Sequence, residues 1–346
     1  MIRPLILRTI DAHTAGEPLR LVIEGWPAPK GRTMLERRAW ARQHQDRLRR
    51  ILMFEPRGHT DMYGALLTEP ERADSHAGVL FMHNEGFSTM CGHGIIAVVT
   101  LAIERGLIAL PGDDSSASAN PVVNPVVLNL DAPAGQIRCR AEVASRTGGR
   151  RVERVSFINV PSFVLASGVP VRLGSRTVPV DVAFGGAFYA IVDAETAGLP
   201  IDPSRLNDLR STGMAIKHAV ESALKVVHPT EPGLTGIYGT IFTGPATRPG
   251  ADLRNVTVFA EAEVDRSPCG TGTCAVLAVL DAMGLVGDAF VHESIIGTTF
   301  RARVTDRTTV GDLPAIIPEL TGEAWITGEQ TFIVDDDDPL REGFRL

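Results

Sequence analysis

Met90-Cys91-Gly92-His93-Gly94 opens the segment that decides the fold, because residues 95–103 behind it are apolar on every side. Wound as a helix, Ile95, Ile96, Val98, Val99, Leu101 and Ile103 leave no polar face, so other structure must enclose them. The helix is expected from about Cys91 to Arg105, with Gly106 as its stop. A second segment repeats the pattern 178 residues later, about half the chain: Pro268-Cys269-Gly270-Thr271-Gly272, then the apolar residues 275–280. Its helix is expected from about Cys269 to Met283, stopped by Gly284. A strand-like stretch precedes each, residues 77–82 before the first and 256–262 before the second. Strand, loop and buried helix recurring together point to a duplicated unit. The expectation is an α/β chain of two pseudo-symmetric halves, each with strands wrapped round a central helix. Residues 1–150, completed by 325–346, would carry Cys91, and residues 151–324 would carry Cys269.

The remaining elements follow from period and punctuation. Residues 6–10 and 19–24 read as strands around the turn His13-Thr14-Ala15-Gly16-Glu17-Pro18. Residues 33–53 read as one helix with a capping box from Thr33 and Glu36. Residues 62–68 are strand-like, and 126–143 with 152–160 read as one strand pair turning at 146–150. Residues 184–192 form a strand interrupted by Gly185-Gly186, and 203–226 a helix. Residues 111–125 read as an exposed loop and Asp335 to Asp338 as a solvated acidic turn.

Net charge is −7, from 34 basic and 41 acidic side chains, with no basic stripe, so nucleic acid is not an expected partner. The longest apolar run is about half of what a membrane span needs. The four cysteines, Cys91, Cys139, Cys269 and Cys274, show neither zinc-ribbon nor disulfide-framework spacing. Free thiols and a cytoplasmic location are expected. A homodimer is one assembly open to the chain.

Each cysteine of the repeated pattern stands where a helix begins. First-turn N–H groups there lack intrahelical partners, and the macrodipole is positive, which favours a thiolate. Glycines beside the cysteine admit a ligand close to the backbone. Two such starts facing one another would hold a carboxylate on the N–H groups around Gly92, His93, Gly270 and Thr271. One sulfur would then lie on each face of an α-carbon, one removing a proton and the other returning it. Asp265 can bind a substrate ammonium, assisted by His93. Without their setting, Cys139 and Cys274 read as packing residues, and His13, His59 and His83 as hydrogen-bonding rather than metal-ligating groups.

With Met90-Cys91-Gly92-His93, Asp265-Arg266-Ser267-Pro268-Cys269-Gly270-Thr271-Gly272, Asp11-Ala12-His13-Thr14-Ala15-Gly16-Glu17 and Glu55-Pro56-Arg57-Gly58-His59, the chain resembles the proline racemase family over nearly its whole length. That family comprises proline racemases, 4-hydroxyproline 2-epimerases and trans-3-hydroxy-L-proline dehydratases. The resemblance implies a diaminopimelate epimerase-like fold with the site between two similar halves. It also implies no pyridoxal phosphate, no other cofactor and no metal. It matches Cys91 and Cys269 to the two bases, His93 and Asp265 to groups holding the ring nitrogen, and Tyr63 and Phe259 to ring-packing positions.

The expected substrate is a small imino acid. Dehydratases of the family usually carry threonine at the second cysteine, so Cys269 leads to an expectation of racemisation or epimerisation of proline or 4-hydroxyproline. The stretches Asp61-Met62-Tyr63-Gly64-Ala65 and His83-Asn84-Glu85-Gly86 look closer to dehydratases, which make Δ1-pyrroline-2-carboxylate. A non-catalytic imino-acid-binding protein is the third alternative.

Overall fold

The computed structural model describes residues 4–110, 125–146 and 149–345. Two compact units stand out among them. The first takes its described residues from Met1–Met90, Gly94–Phe157 and Glu323–Leu346, and the second comprises Cys91–His93 and Ile158–Gly322.

In the first unit, strand β1 (Leu5–Thr14) turns into β2 (Glu17–Glu24), and helices α1 (Met34–His44) and α2 (Asp46–Met53) follow. Strands β3 (Tyr63–Thr68) and β4 (Ala77–His83) lead into α3 (Gly92–Glu104), and then come β5 (Val126–Ala132), β6 (Gly135–Arg146) and β7 (Gly149–Ile158). The last strand of the chain, β17 (Ala324–Val334), lies antiparallel to β1. From β17 through β1 to β6, successive pairings are antiparallel, antiparallel, parallel, antiparallel, parallel and antiparallel. The helices sit in the crossovers that parallel neighbours require. Residues 95–99 and 101–103 of α3 are buried, as an all-apolar helix demands. Thr100, the polar exception, returns its hydroxyl to the Ile96 carbonyl at 2.8 Å.

The second unit closes on itself. Strands β8 (Ser162–Leu173), β9 (Arg176–Phe184) and β10 (Phe188–Asp193) are followed by helix α4 (Ala194–Ala197), a short 3₁₀ turn and α5 (Leu206–Ala223). Then come β11 (Gly239–Pro245), β12 (Leu253–Phe259), β13 (Glu263–Asp265), α6 (Gly270–Ala282), β14 (Phe290–Glu293), β15 (Thr299–Val310) and β16 (Leu313–Gly322). From β8 the pairings run through β9, β10, β11, β12, β14, β15 and β16 and return to β8. A closed ring leaves no edge strand, and β13 folds back on β12 beside it. From the β8–β9 pair to the β14–β15 pair, this ring repeats the parallel and antiparallel order of the first unit. Helix α6 packs against β8, β9, β10, β15 and β16 and is buried from Gly270 to Val279. Enclosing each Val or Leu of that helix contributes about 1.5–3 kcal/mol.

Four expectations need correction. Residues 184–192 are not one interrupted strand, because the chain turns after Phe184 and Phe188 opens an antiparallel partner. Residues 33–53 form two helices, not one. The capping box at Thr33 is present, but the chain leaves the helix at Gln45 (φ −124°). Gln45 is buried, accepts from the Trp26 indole and donates to the Pro27 carbonyl, so tertiary bonds override local propensity there. Residues 126–143 hold two strands, because Pro133 and Ala134 with Gly135 (φ 139°) turn the chain between β5 and β6. Strand β12 ends at Phe259, short of the expected Ala262, since Ala260 and Ala262 both adopt positive φ. The expected loop at residues 111–125 falls almost wholly outside the described residues, as do residues 147 and 148 of the expected turn at 146–150.

Candidate active site

Cys269 stands immediately before α6 in a conformation that L-residues rarely adopt, φ 59° and ψ 108°. Its neighbours hold it there. The Cys269 N–H donates to Ser267 Oγ at 3.1 Å, and Ser267 donates through both N–H and Oγ to Asp265 Oδ1 at 2.8 and 2.7 Å. Behind the turn, the Pro268 carbonyl accepts from Asn255 Nδ2 at 2.7 Å and from Thr273 Oγ1 at 3.0 Å. His292 Nδ1 lies 2.9 Å from Thr273 Oγ1 and 3.2 Å from Asn255 Nδ2. Burial depresses the His292 imidazole to about 3, so it stays neutral.

Cys91 precedes α3, and its sulfur lies 3.2 Å from His93 Nδ1 and 3.6 Å from Nε2. The sequence reading gave His93 to the substrate nitrogen. The structure gives it the Cys91 thiol as a neighbour, an arrangement able to share a proton.

The glycines explain how the two cysteine segments meet. A Cβ added to Gly92 would stand 2.5 Å from the Gly270 Cα, and one added to Gly270 equally close to the Gly92 Cα. The backbone nitrogens of Thr271 and His93 lie 3.1 and 3.2 Å from those two points. Only glycine permits this approach. A Cβ at Gly272 would stand 3.0 Å from the Cys269 sulfur, so the third glycine clears space for the thiol. Cys91, Gly92, His93, Asp265, Cys269, Gly270 and Thr271 therefore gather in the second unit.

The helix start alone was expected to lower the thiol of Cys269. Burial outweighs it: desolvation first, then the nearby Asp265 carboxylate, push the Cys269 thiol up. Burial also raises Asp265 to about 6, against the hydrogen bonds from Ser267 that favour its charge. Cys139 is likewise pushed up and Cys274 reaches about 12, both by burial, as suits packing residues.

Phe259 is buried on β12 and stacks on Tyr238 at 5.4 Å. Tyr63 belongs to the first unit, where its hydroxyl donates to Ser88 Oγ at 2.7 Å and its ring stacks on His83 at 5.5 Å. His13 Nδ1 accepts from the Gly16 N–H and His83 Nδ1 from the Glu85 N–H. His59 Nδ1 lies 2.7 Å from the Thr60 carbonyl. Sequence reasoning missed Asn255, Thr273 and Tyr189. Tyr189 lies 3.7 Å from the Cys269 sulfur, and the one local hint was the Gly185-Gly186 pair just before it.

The model of a family described as proline racemase matches residues 9–345. The chain belongs to the proline racemase family. Within it, the chain is 49% identical to a trans-3-hydroxy-L-proline dehydratase of Bacillus cereus, over 99% of this chain and 98% of that one. It is 40% identical to the proline racemase of Clostridioides difficile, with 98% of each covered. Among solved structures, a hydroxyproline epimerase from Agrobacterium vitis with bound trans-4-hydroxy-L-proline superposes with a TM-score of 0.87. It is 30% identical, and the match covers 99% of this chain and 96% of that one. As a member of the proline racemase family, the protein is a cysteine-based isomerase or lyase acting on proline or hydroxyproline. No described helix is long and apolar enough to cross a membrane.

Proposed function

We propose that the protein dehydrates trans-3-hydroxy-L-proline to Δ1-pyrroline-2-carboxylate, with Cys91 as the acid–base group. The observation that carries the reading is the whole-chain identity of 49% to a dehydratase, against 40% to a proline racemase. This gives the weight to the alternative that the sequence alone ranked second.

The substrate's stereochemistry asks for one thiol. In the trans isomer the 3-hydroxyl and the Cα hydrogen lie on the same ring face. A Cys91 thiolate, its proton held by His93, takes the Cα hydrogen. The released electron pair forms the Cα–Cβ double bond as the C3–O bond breaks. The hydroxide departs as water with the proton that the sulfur has just received. The enamine left behind then moves its N–H proton to C3, which gives the cyclic imine. Backbone N–H groups at His93 and Thr271 support the carboxylate as charge builds on it, and Asp265 pairs with the ring ammonium.

Cys269 supports a second reading, two-base inversion of proline or 4-hydroxyproline. A second thiol is superfluous for syn elimination and necessary for delivery to the opposite face. Both readings use one construction, two units of like pairing order in the manner of a diaminopimelate epimerase-like fold.

Incubation of the purified protein with trans-3-hydroxy-L-proline, followed by borohydride reduction, tests the proposal. Proline is expected as the reduced product. Unchanged 3-hydroxyproline, alongside deuterium uptake at Cα of proline or trans-4-hydroxy-L-proline in D₂O, would overturn it in favour of inversion.

A further inference from the structure

We infer that the Tyr189 hydroxyl, seated between Thr271 and the sulfur of Cys269, is a positioning group that holds this sulfur and donates a hydrogen bond to it whenever it is a thiolate. Three distances define the triangle: Tyr189 Oη to Thr271 Oγ1, 2.6 Å; Tyr189 Oη to Cys269 Sγ, 3.7 Å; and Cys269 Sγ to Thr271 Oγ1, 3.9 Å. Tyr189 is fully buried, and its ring makes an edge contact with Tyr238 at 5.9 Å, so the phenol cannot swing away.

The Gly185-Gly186 pair, which the reaction chemistry leaves without a role, puts the phenol there. A Cβ at Gly185 would strike the Thr271 carbonyl oxygen at 2.2 Å and the Ala275 nitrogen at 2.7 Å. Only a glycine lets this stretch lie against the first turn of α6. Asn159 Nδ2 donates to the Gly185 carbonyl at 2.8 Å and fixes the approach. Four residues on, β10 carries Tyr189 to the sulfur.

When Cys269 gives its proton to a substrate carbon, the sulfur is left negative in a buried place. A phenol O–H already beside it turns from Thr271 to the sulfur, and no proton is transferred. Burial and the proximity of Cys269 hold the phenol well above its ordinary value, so it remains a donor throughout. The inference rests on Cys269 facing the substrate, as in the inversion reading above. A charge-assisted bond of this kind favours the thiolate by roughly tenfold.

The test is the pH dependence of iodoacetamide alkylation at Cys269, followed by peptide mass spectrometry in wild type and Tyr189→Phe. Phenylalanine keeps the ring and removes only the hydroxyl. On the rising limb of the profile, Cys269 in the variant is expected to alkylate about tenfold more slowly, with Cys91 unaffected. Superimposable Cys269 profiles would overturn the inference. Should Tyr189→Phe fail to fold, 3-fluorotyrosine incorporated in a Tyr63→Phe, Tyr238→Phe background labels position 189 alone, because the chain has three tyrosines. The more acidic phenol is then expected to speed Cys269 alkylation at a given pH, and an unchanged rate would overturn the inference. Alkylation needs no substrate. A failure of the proposed dehydration and a failure of the Tyr189 role therefore appear in different experiments.

Discussion

Cys91 and Cys269 begin two helices with the same Cys-Gly-x-Gly pattern, yet their sulfurs have different company. Cys91 has an imidazole at 3.2 Å, whereas Cys269 has a phenol at 3.7 Å and Asp265 close behind its turn. The base beside Cys91 can take up the thiol proton. The carboxylate and the burial around Cys269 keep its proton in place. The matching backbone supplies two glycine-spaced helix starts, and the unlike side chains give the two thiols different settings. A reaction that needs one thiolate on one face can use this asymmetry, and one that needs an acid on the other face finds it ready.

The comparison breaks most sharply at Cys91. Cys91→Ser is expected to lower water loss from trans-3-hydroxy-L-proline at least about 10³-fold, within the range for removal of an acid–base group. Steady-state assay of imine formation measures it. Next in size is Gly270→Ala, whose new Cβ would stand 2.5 Å from the Gly92 Cα. Pushing the helix starts apart is expected to cost about 10²-fold in kcat/KM. It should also cost about 1–3 kcal/mol of stability, read by urea unfolding.

A smaller effect sharpens the Cys269 side. Asp265 is raised to about 6, so below that pH its carboxyl is protonated and, in the proposed role, would release the ring ammonium. The expected kcat/KM falls by up to about tenfold per pH unit below 6, and Asp265→Asn gives a low profile without that limb.

The remaining effect is on stability, where two buried groups oppose each other. His292 is depressed from 6.5 to about 3, so the unfolded chain takes up its proton first. Stability present above pH 6.5 is then lost as pH falls toward 3, by about 1.4 kcal/mol per unit. Asp265 works the other way: raised from 3.8 to about 6, it stabilises fully below 3.8, and this contribution is lost as pH rises through 6. Between pH 6 and 4, His292→Gln is therefore expected to flatten the acid-side fall in Tm, and Asp265→Asn to steepen it. Thermal unfolding across that range reads both.

Parts of this account were legible in the residues. Residues 95–103 and 275–280 announce enclosed helices, because only Thr100 among them is polar and no polar face remains for water. The cysteines at the starts of those helices carry the candidate site with them. Ring closure was not legible. It depends on β16 meeting β8 at Ala315 and Phe163, partners far apart in sequence with no local signal between them. Gln45 looked like an ordinary helical residue until its side chain found Trp26 and Pro27.

Other conspicuous motifs have structural work. Arg20 forks onto Asp11 and donates to the Leu52 carbonyl at 2.9 Å. A Cβ at Gly58 would stand 2.3 Å from the Met53 carbonyl oxygen. Residues 11–17 and 55–59 thus owe part of their pattern to packing. Tyr189 stayed hidden because its place depends on Gly185 lying against α6, a contact that no sequence period encodes.

Proton NMR of Cys269→Ser in D₂O, with trans-3-hydroxy-L-proline and trans-4-hydroxy-L-proline in one tube, bears most directly on the division of labour between the two sulfurs. Imine from the 3-hydroxy substrate should still form at a rate within about tenfold of wild type, while any inversion of the 4-hydroxy substrate disappears. Loss of imine formation as complete as in Cys91→Ser would mean that elimination needs both thiols, and the asymmetric account would be wrong.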